Sequence, residues 1–218
     1  MKLRAQLGWF IQDVQFLSHK LRGRDYHIGD PSLDAETLGS LEEDMAKAKG
    51  YLEYGSGGST ILASRLVNGA ITTVESDREY LEAVRARLLG VEQSRLNLIH
   101  ANIGTTSAWG KPLLPWRSTR WANYPEAPWK HIRYVPDLIL IDGRFRLACA
   151  LMCVLKLPQG WQGVIYIDDY MGREEYATIR KYAKEFMTIG RAVKFNIIPV
   201  FDVEECRKDY TSALSIWL

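Results

Sequence analysis

The chain has 218 residues, 47% hydrophobic and 25% charged, a composition of ordinary soluble globular proteins that excludes the collagen-like, disordered and membrane-spanning classes. Lys plus Arg number 28 against 26 Asp plus Glu, too small an excess to steer the whole molecule onto a phosphate backbone, so no nucleic-acid partner is expected. Three cysteines, an N terminus broken by Gln6, Gln12 and Asp13, and no apolar run near the roughly 20 residues of a span predict free thiols, no membrane partner and a cytoplasmic protein.

Leu3, Leu7, Phe10, Ile11, Val14, Leu17 and Leu21 recur at helical spacing and predict an amphipathic helix that covers the main domain or a second subunit, a route to a homodimer. A helix is expected over 34–49, with Leu38, Leu41 and Met45 on one face and Gly50 past its end. Strand and helix then alternate: strands over 51–54, 70–75, 96–100, 137–141 and 163–167, helices over 59–67, 77–89, 147–155 and 174–187. Two further strands, 193–200 and 212–218, have only the polar stretch 202–209 between them and are expected to pair antiparallel. The stretch 104–135 holds Trp109, Trp116, Trp121 and Trp129 with Pro112, Pro115, Pro125 and Pro128, which predicts a long packed loop or lid without regular structure. The expected architecture is an α/β three-layer sandwich: a mostly parallel, seven-stranded, Rossmann-like sheet ending in an antiparallel pair. Residues 1–49 are expected to form N-terminal helices packed on a core domain of 50–218, which carries the insertion at 104–135.

The strongest local signal is LEYGSGGST, Leu52 to Thr60, which follows a strand and opens a helix. Gly55, Gly57 and Gly58 allow a tight turn and close approach of a ligand to the main chain. In open parallel sheets such a turn borders the crevice beyond the carboxyl ends of the strands. Glu75 ends the next strand, placed to accept hydrogen bonds from two ribose hydroxyls, an arrangement common to two nucleotide classes. A dinucleotide fingerprint wants a glycine where this chain has Thr60.

An acidic residue followed by alternating glycines, as in Glu53, Gly55 and Gly57, resembles the first motif of the class I S-adenosylmethionine-dependent methyltransferase superfamily. More narrowly, LEYGSGGST, VESD, IGTTSAWGKP and IDGRFRLACAL are similar to a group of bacterial methyltransferase-like proteins. The resemblance covers about residues 50–218 and implies S-adenosylmethionine as cofactor. It implies that Glu53 and the loop backbone at Gly55 and Ser56 hold the methionine end, Glu75 the ribose and Ser76 the adenine edge, with Gly57, Ser59 and Thr60 also in the cofactor site. Asn102 stands where such enzymes often place aspartate toward the adenine amine.

Catalytic candidates lie at the next strand ends: Asp142 and Arg144 in LILIDGRFR, and Asp168 in VIYIDDY. Asp142 is placed to accept a substrate proton or to lie near the methionine ammonium, and Arg144 with Arg146 to clamp an anionic group; the arginines could equally pair with Asp168, Asp169 or Glu75 and stiffen the rim. Three carboxylates there would also suit Mg²⁺, as in metal-dependent O-methyltransferases of the catechol and macrolide-sugar type, but the run GRFR departs from those families and argues against the metal. Cys149 and Cys153 read as core residues, and His131 is a weaker candidate base. The leading expectation is a methyltransferase that acts on a small molecule, at oxygen. A catalytically idle methyltransferase-like binding module and a nicotinamide-dependent oxidoreductase are the alternatives.

Overall fold

The computed structural model describes residues 26–113 and 115–217. The expected helix over Leu3 to Leu21 lies outside the described residues. Helix α1 (Ala35–Met45) opens on Asp34, whose carboxylate accepts the Thr37 N–H and so supplies the cap. Then follow β1 (Gly50–Tyr54), α2 (Gly58–Leu66), β2 (Ala70–Glu75), α3 (Arg78–Arg87) and β3 (Leu96–His100). The chain continues through α4 (Asn123–His131), β4 (Leu138–Ile141), α5 (Arg146–Lys156), β5 (Val164–Ile167), β6 (Ala183–Ile189), β7 (Ala192–Ile197) and α6 (Val203–Ala213). No helix among the described residues is long and apolar enough to cross a membrane.

The seven strands form one sheet in the order β3-β2-β1-β4-β5-β7-β6. Strands β1 to β5 pair parallel, β7 runs antiparallel to β5, and β6 antiparallel to β7. The order reverses between β1 and β4, so the crevice open to a ligand lies above the carboxyl ends of those two strands.

Alternation along the central strands makes the three layers. Tyr51, Leu138, Leu140 and Tyr166 face one side, where they pack with Leu41 and Met45 of α1 and Ala63 of α2. Leu52, Tyr54, Ile139, Ile141, Ile165 and Ile167 face the other, against α4, α5 and α6. Each of these fully buried aliphatic side chains stabilises the fold by roughly 1.5–3 kcal/mol before the cost of ordering it.

Three expectations are corrected. The helix expected over 174–187 is a 3-10 turn, Glu174–Lys181, followed by strand β6. Tyr176 and Ile179 are buried as a helical face would require, but pairing with β7 overrides local preference beyond Tyr182, and a bulge between Glu185 and Met187 leaves Phe186 exposed. The strand expected over 212–218 is also absent, because residues 203–213 form α6. Its signal was present: Asp202 accepts the N–H groups of Glu204 and Glu205, and Cys206, Tyr210 and Ala213 recur on one buried face. The antiparallel pair is therefore β6 with β7, joined at Gly190 and Arg191. Finally, the stretch 104–135 contains helix α4. Pro125 sits in its first turn, where a missing N–H costs nothing, and Tyr124 and Ala127 bury against the sheet side of α5.

Candidate functional site

The glycine loop leaves the sheet where the Gly55 N–H reaches the Val74 carbonyl at 2.9 Å. Gly55 has φ +103°, and a Cβ there would stand 2.8 Å from the Gly143 nitrogen, so backbone conformation and close packing both demand glycine. Beneath the loop Glu53 is fully buried. Its carboxylate accepts the Thr60 hydroxyl at 2.5 Å and the Tyr51 hydroxyl at 3.2 Å, while Thr60 Oγ1 also accepts the Gly57 N–H at 2.9 Å. Burial pushes the Glu53 pKa up, against hydroxyl bonds from Ser59 and Thr60 that favour the charged form. Glu53 therefore braces the loop from below, and the loop backbone at Gly55, Ser56 and Gly57 is what faces the crevice side. Gly58 opens α2 against the earlier segment 29–31: a Cβ there would lie 2.4 Å from the Asp30 carbonyl carbon.

Glu75 ends β2 and is 9% exposed. Its Oε1 accepts the N–H groups of Ser76 at 2.6 Å and Asp77 at 2.9 Å and the Ser76 hydroxyl at 3.2 Å. Its Oε2 accepts the Ser56 hydroxyl at 3.3 Å, which ties the strand end to the glycine loop. A carboxylate has about four lone-pair sites, so Oε2 retains room for a further donor. Burial raises the Glu75 pKa, with the Asp77 and Ser76 N–H bonds opposing. Over this pair lies the tip of the insertion: Gly110 has φ +69°, and a Cβ on it would be 2.6 Å from Ser76 Oγ and 3.7 Å from Glu75 Oε1. Asn102 lies apart from the cluster, exposed. Its side-chain oxygen, the atom expected to meet an adenine amine, accepts the Gly104 N–H at 3.0 Å and caps the turn into the insertion.

The catalytic candidates divide. Arg146, 5% exposed, holds the acidic strand ends together. It meets Asp142 Oδ1 at 3.1 Å and Asp169 Oδ2 at 3.2 Å, and donates to the Asp168 carbonyl at 2.6 Å and the Gly143 carbonyl at 3.1 Å. Arg191, from the β6–β7 turn, meets the buried Asp168 carboxylate at 2.9 Å and Asp169 Oδ1 at 3.0 Å. These two guanidiniums stand between the three aspartates. Among the described residues no group of His, Cys, Asp or Glu is arranged to hold a metal ion, and the physical reason here is that the arginines take the lone pairs Mg²⁺ would need.

Asp142 has its pKa raised to about 8, first by burial and then by the Asp168 and Asp169 carboxylates, which together outweigh Arg146. A carboxyl that binds its proton more tightly folded than unfolded makes stability fall as pH rises between the two pKa values. The thermal midpoint of the native protein minus that of Asp142→Asn should therefore decline from about pH 4 to about pH 8 and level off above. A difference that stays constant across that range would show that Asp142 is ionised throughout.

Reading the sequence missed Arg191, Gly110 and Tyr124. Tyr124 is buried on α4, donates weakly to the Val74 carbonyl at 3.5 Å, and its hydroxyl fills the space where any Gly143 side chain would go. Nothing in the local pattern around Arg191 marks it, since its partners lie 23 residues earlier in the chain. Cys149 and Cys153 are buried free thiols of the α5 core, as expected, and His131 is exposed at the end of α4.

Comparison with known proteins bears on the fold. No protein-family model matches the chain, and no curated protein sequence matches it. Among solved structures, a methyltransferase-like protein from Silicibacter pomeroyi superposes with a TM-score of 0.78 at 27% identity, covering 86% of this chain and 97% of that one. A Staphylococcus aureus protein named as a caffeoyl-CoA O-methyltransferase matches with a TM-score of 0.52 at 16% identity, over 90% of this chain and 97% of its own, which speaks to the fold. With a 3-2-1-4-5-7-6 sheet and a likeness to the first of these over 97% of that chain, the protein has the seven-stranded Rossmann-like fold of methyltransferases.

Proposed function

We propose that the chain is an S-adenosylmethionine-dependent methyltransferase that acts on a small molecule at an oxygen atom. The observation that carries the reading is the junction at the sheet's switch point. There a left-handed Gly55 packs on Gly143, and Ser56 bonds Glu75 across the tops of β1 and β2. The residues fit the cofactor: the loop of Gly55, Ser56, Gly57, Ser59 and Thr60 offers bare backbone for its methionine end, Glu75 Oε2 suits a ribose hydroxyl, and Ser76 stands beside the adenine end. Asn102 can offer its amide N–H rather than the oxygen. When bound, this cofactor supplies a methyl group on a sulfonium.

The protein's own part is to orient the acceptor and manage its proton. Burial raises the Asp142 pKa to about 8, so up to about that pH its carboxyl can donate a hydrogen bond, and above it the carboxylate can accept a proton. Asp168, held by Arg191, is among the groups that raise it. A near balance of charge, with Lys plus Arg 28 and Asp plus Glu 26, favours a small acceptor over nucleic acid.

Isothermal titration is expected to show one S-adenosylhomocysteine bound per chain. The thermal midpoint should rise in step, since ligand at 100 times its dissociation constant adds about 2.7 kcal/mol. Absence of binding at millimolar ligand would remove the proposal. A second reading, an idle binding module of the same fold, is favoured by one observation: Gly110 lies on Glu75 and three internal donors fill its Oε1. It predicts a folded protein with no methyl transfer to any acceptor in a broad screen. The nicotinamide alternative loses ground at Thr60, whose hydroxyl holds both Glu53 and Gly57 where a dinucleotide loop would place glycine.

A further inference from the structure

Two arginines stand two residues apart on the turn between β4 and α5, and they are treated differently by the fold. Arg146 meets Asp142 and Asp169. Arg144 joins no carboxylate in an ion pair among the described residues, and its Nε is buried with no hydrogen-bond partner. Among the groups that act on it, Arg146 lowers its pKa and Asp142 raises it. Asp142 gives its ion pair to Arg146, so among the described residues Arg144 has no carboxylate of its own. Burial accordingly lowers the Arg144 pKa, and the neighbouring Arg146 lowers it further. One nitrogen of the guanidinium, Nε, thus lies out of reach of water without an acceptor, which costs free energy unless an acceptor arrives from outside.

Position narrows what that anion belongs to. Arg144 follows Gly143, which packs on the glycine loop, and its Cγ would lie 3.8 Å from a Cβ on Gly110, at the insertion's tip. The tip also places Trp109, 73% exposed and in the left-handed backbone region at φ +63°, at the rim. The fork of a guanidinium matches the paired oxygens of a carboxylate or a phosphate.

We infer that Arg144 is the anchor for an oxyanion on the methyl acceptor, so that the substrates of this protein are small molecules bearing a carboxylate or a phosphate monoester. This rests on the methyltransferase reading only for the word acceptor; the anion site itself stands on the unpaired arginine.

The test titrates benzoate and, separately, inorganic phosphate into the native protein and into Arg144→Gln and Arg144→Lys, each with and without saturating S-adenosylhomocysteine. The expected result is one benzoate or one phosphate per native chain. Gln should weaken that binding at least ten-fold and Lys should weaken it less, while S-adenosylhomocysteine affinity stays within about two-fold of native. Whichever anion binds more tightly names the acceptor's group. No binding of either anion to the native protein, or equal binding by the Gln variant, overturns the inference. So does a loss of S-adenosylhomocysteine affinity in the Gln variant with unchanged affinity for 5′-methylthioadenosine, which would give the arginine to the cofactor's own carboxylate. If the native chain binds no S-adenosylhomocysteine, the methyltransferase reading fails alone, and the anion titrations of the free protein still decide the role of Arg144. The Lys variant keeps the charge and guards against misfolding of the Gln one.

Discussion

Replacing Arg146 with methionine is expected to lower the stability of the protein by about 3–5 kcal/mol, a loss of roughly 6–20 °C in thermal midpoint for a domain of this size. The side chain is 5% exposed and meets two carboxylates and three carbonyls, all of them on the strand-end turns after β4 and β5. Methionine fills much of the volume but takes the donor from the Gly143 and Asp168 carbonyls, leaves Asp169 to Arg191 alone, and leaves Asp142 without the cation that restrains its pKa. The penalty is that of leaving buried acceptors unpaired, which exceeds the worth of any one ion pair. Calorimetry checks it. Adding Asp169→Asn to the methionine variant should recover part of the loss, because it lowers the repulsion that Asp169 exerts on Asp142. A methionine variant within about 1 kcal/mol of native would show that the acidic cluster is hydrated and that Arg146 does not organise it.

Glu75→Gln is expected to weaken S-adenosylhomocysteine binding about 100-fold, or about 2.8 kcal/mol at about 1.4 kcal/mol per tenfold, while leaving the fold intact. The amide oxygen can take over the Ser76 and Asp77 N–H bonds now made by Oε1. The amide nitrogen then replaces Oε2, turning the acceptor offered to Ser56 and to a ribose hydroxyl into a donor. A site built around an acceptor rejects the ligand when that acceptor becomes a donor, because two donors then face each other without water. Titration calorimetry on the variant reads the effect, and circular dichroism confirms that it is folded. Unchanged affinity would take Glu75 out of the cofactor site and leave it as the brace that joins Ser56 to the end of β2.

Both results would bear on the insertion. Gly110 rests on Ser76 and Glu75, and the hairpin that carries it is closed by Ser107 and Lys111 and by Thr105 and Leu113. The carboxylate that the sequence marks as the ribose residue is thus roofed by a segment more than thirty residues later in the chain. Nothing in IGTTSAWGKP announces that contact, because a glycine in a polar loop looks the same whether its neighbour is water or a buried serine.

What the sequence determined by itself is the order of β1 to β5 and the glycine loop, along with the acidic residues at the strand ends. Those features are written in short-range patterns: continuous apolar runs for strands covered on both faces, and glycines where the chain must turn sharply. The edge of the sheet was less legible. Residues 183–189 become strand only because β7 lies beside them, and 203–213 become helix although the cap at Asp202 and the spacing of Cys206, Tyr210 and Ala213 carried a readable sign. The tertiary structure alone decided the roles of charge. Arg144 and Arg146 are neighbours in one turn with the same side chain. One is neutralised and the other is not, because Asp168, Asp169 and Arg191 arrive from two other strand ends, and electrostatic pairing depends on distance in space, which spacing along the chain does not encode.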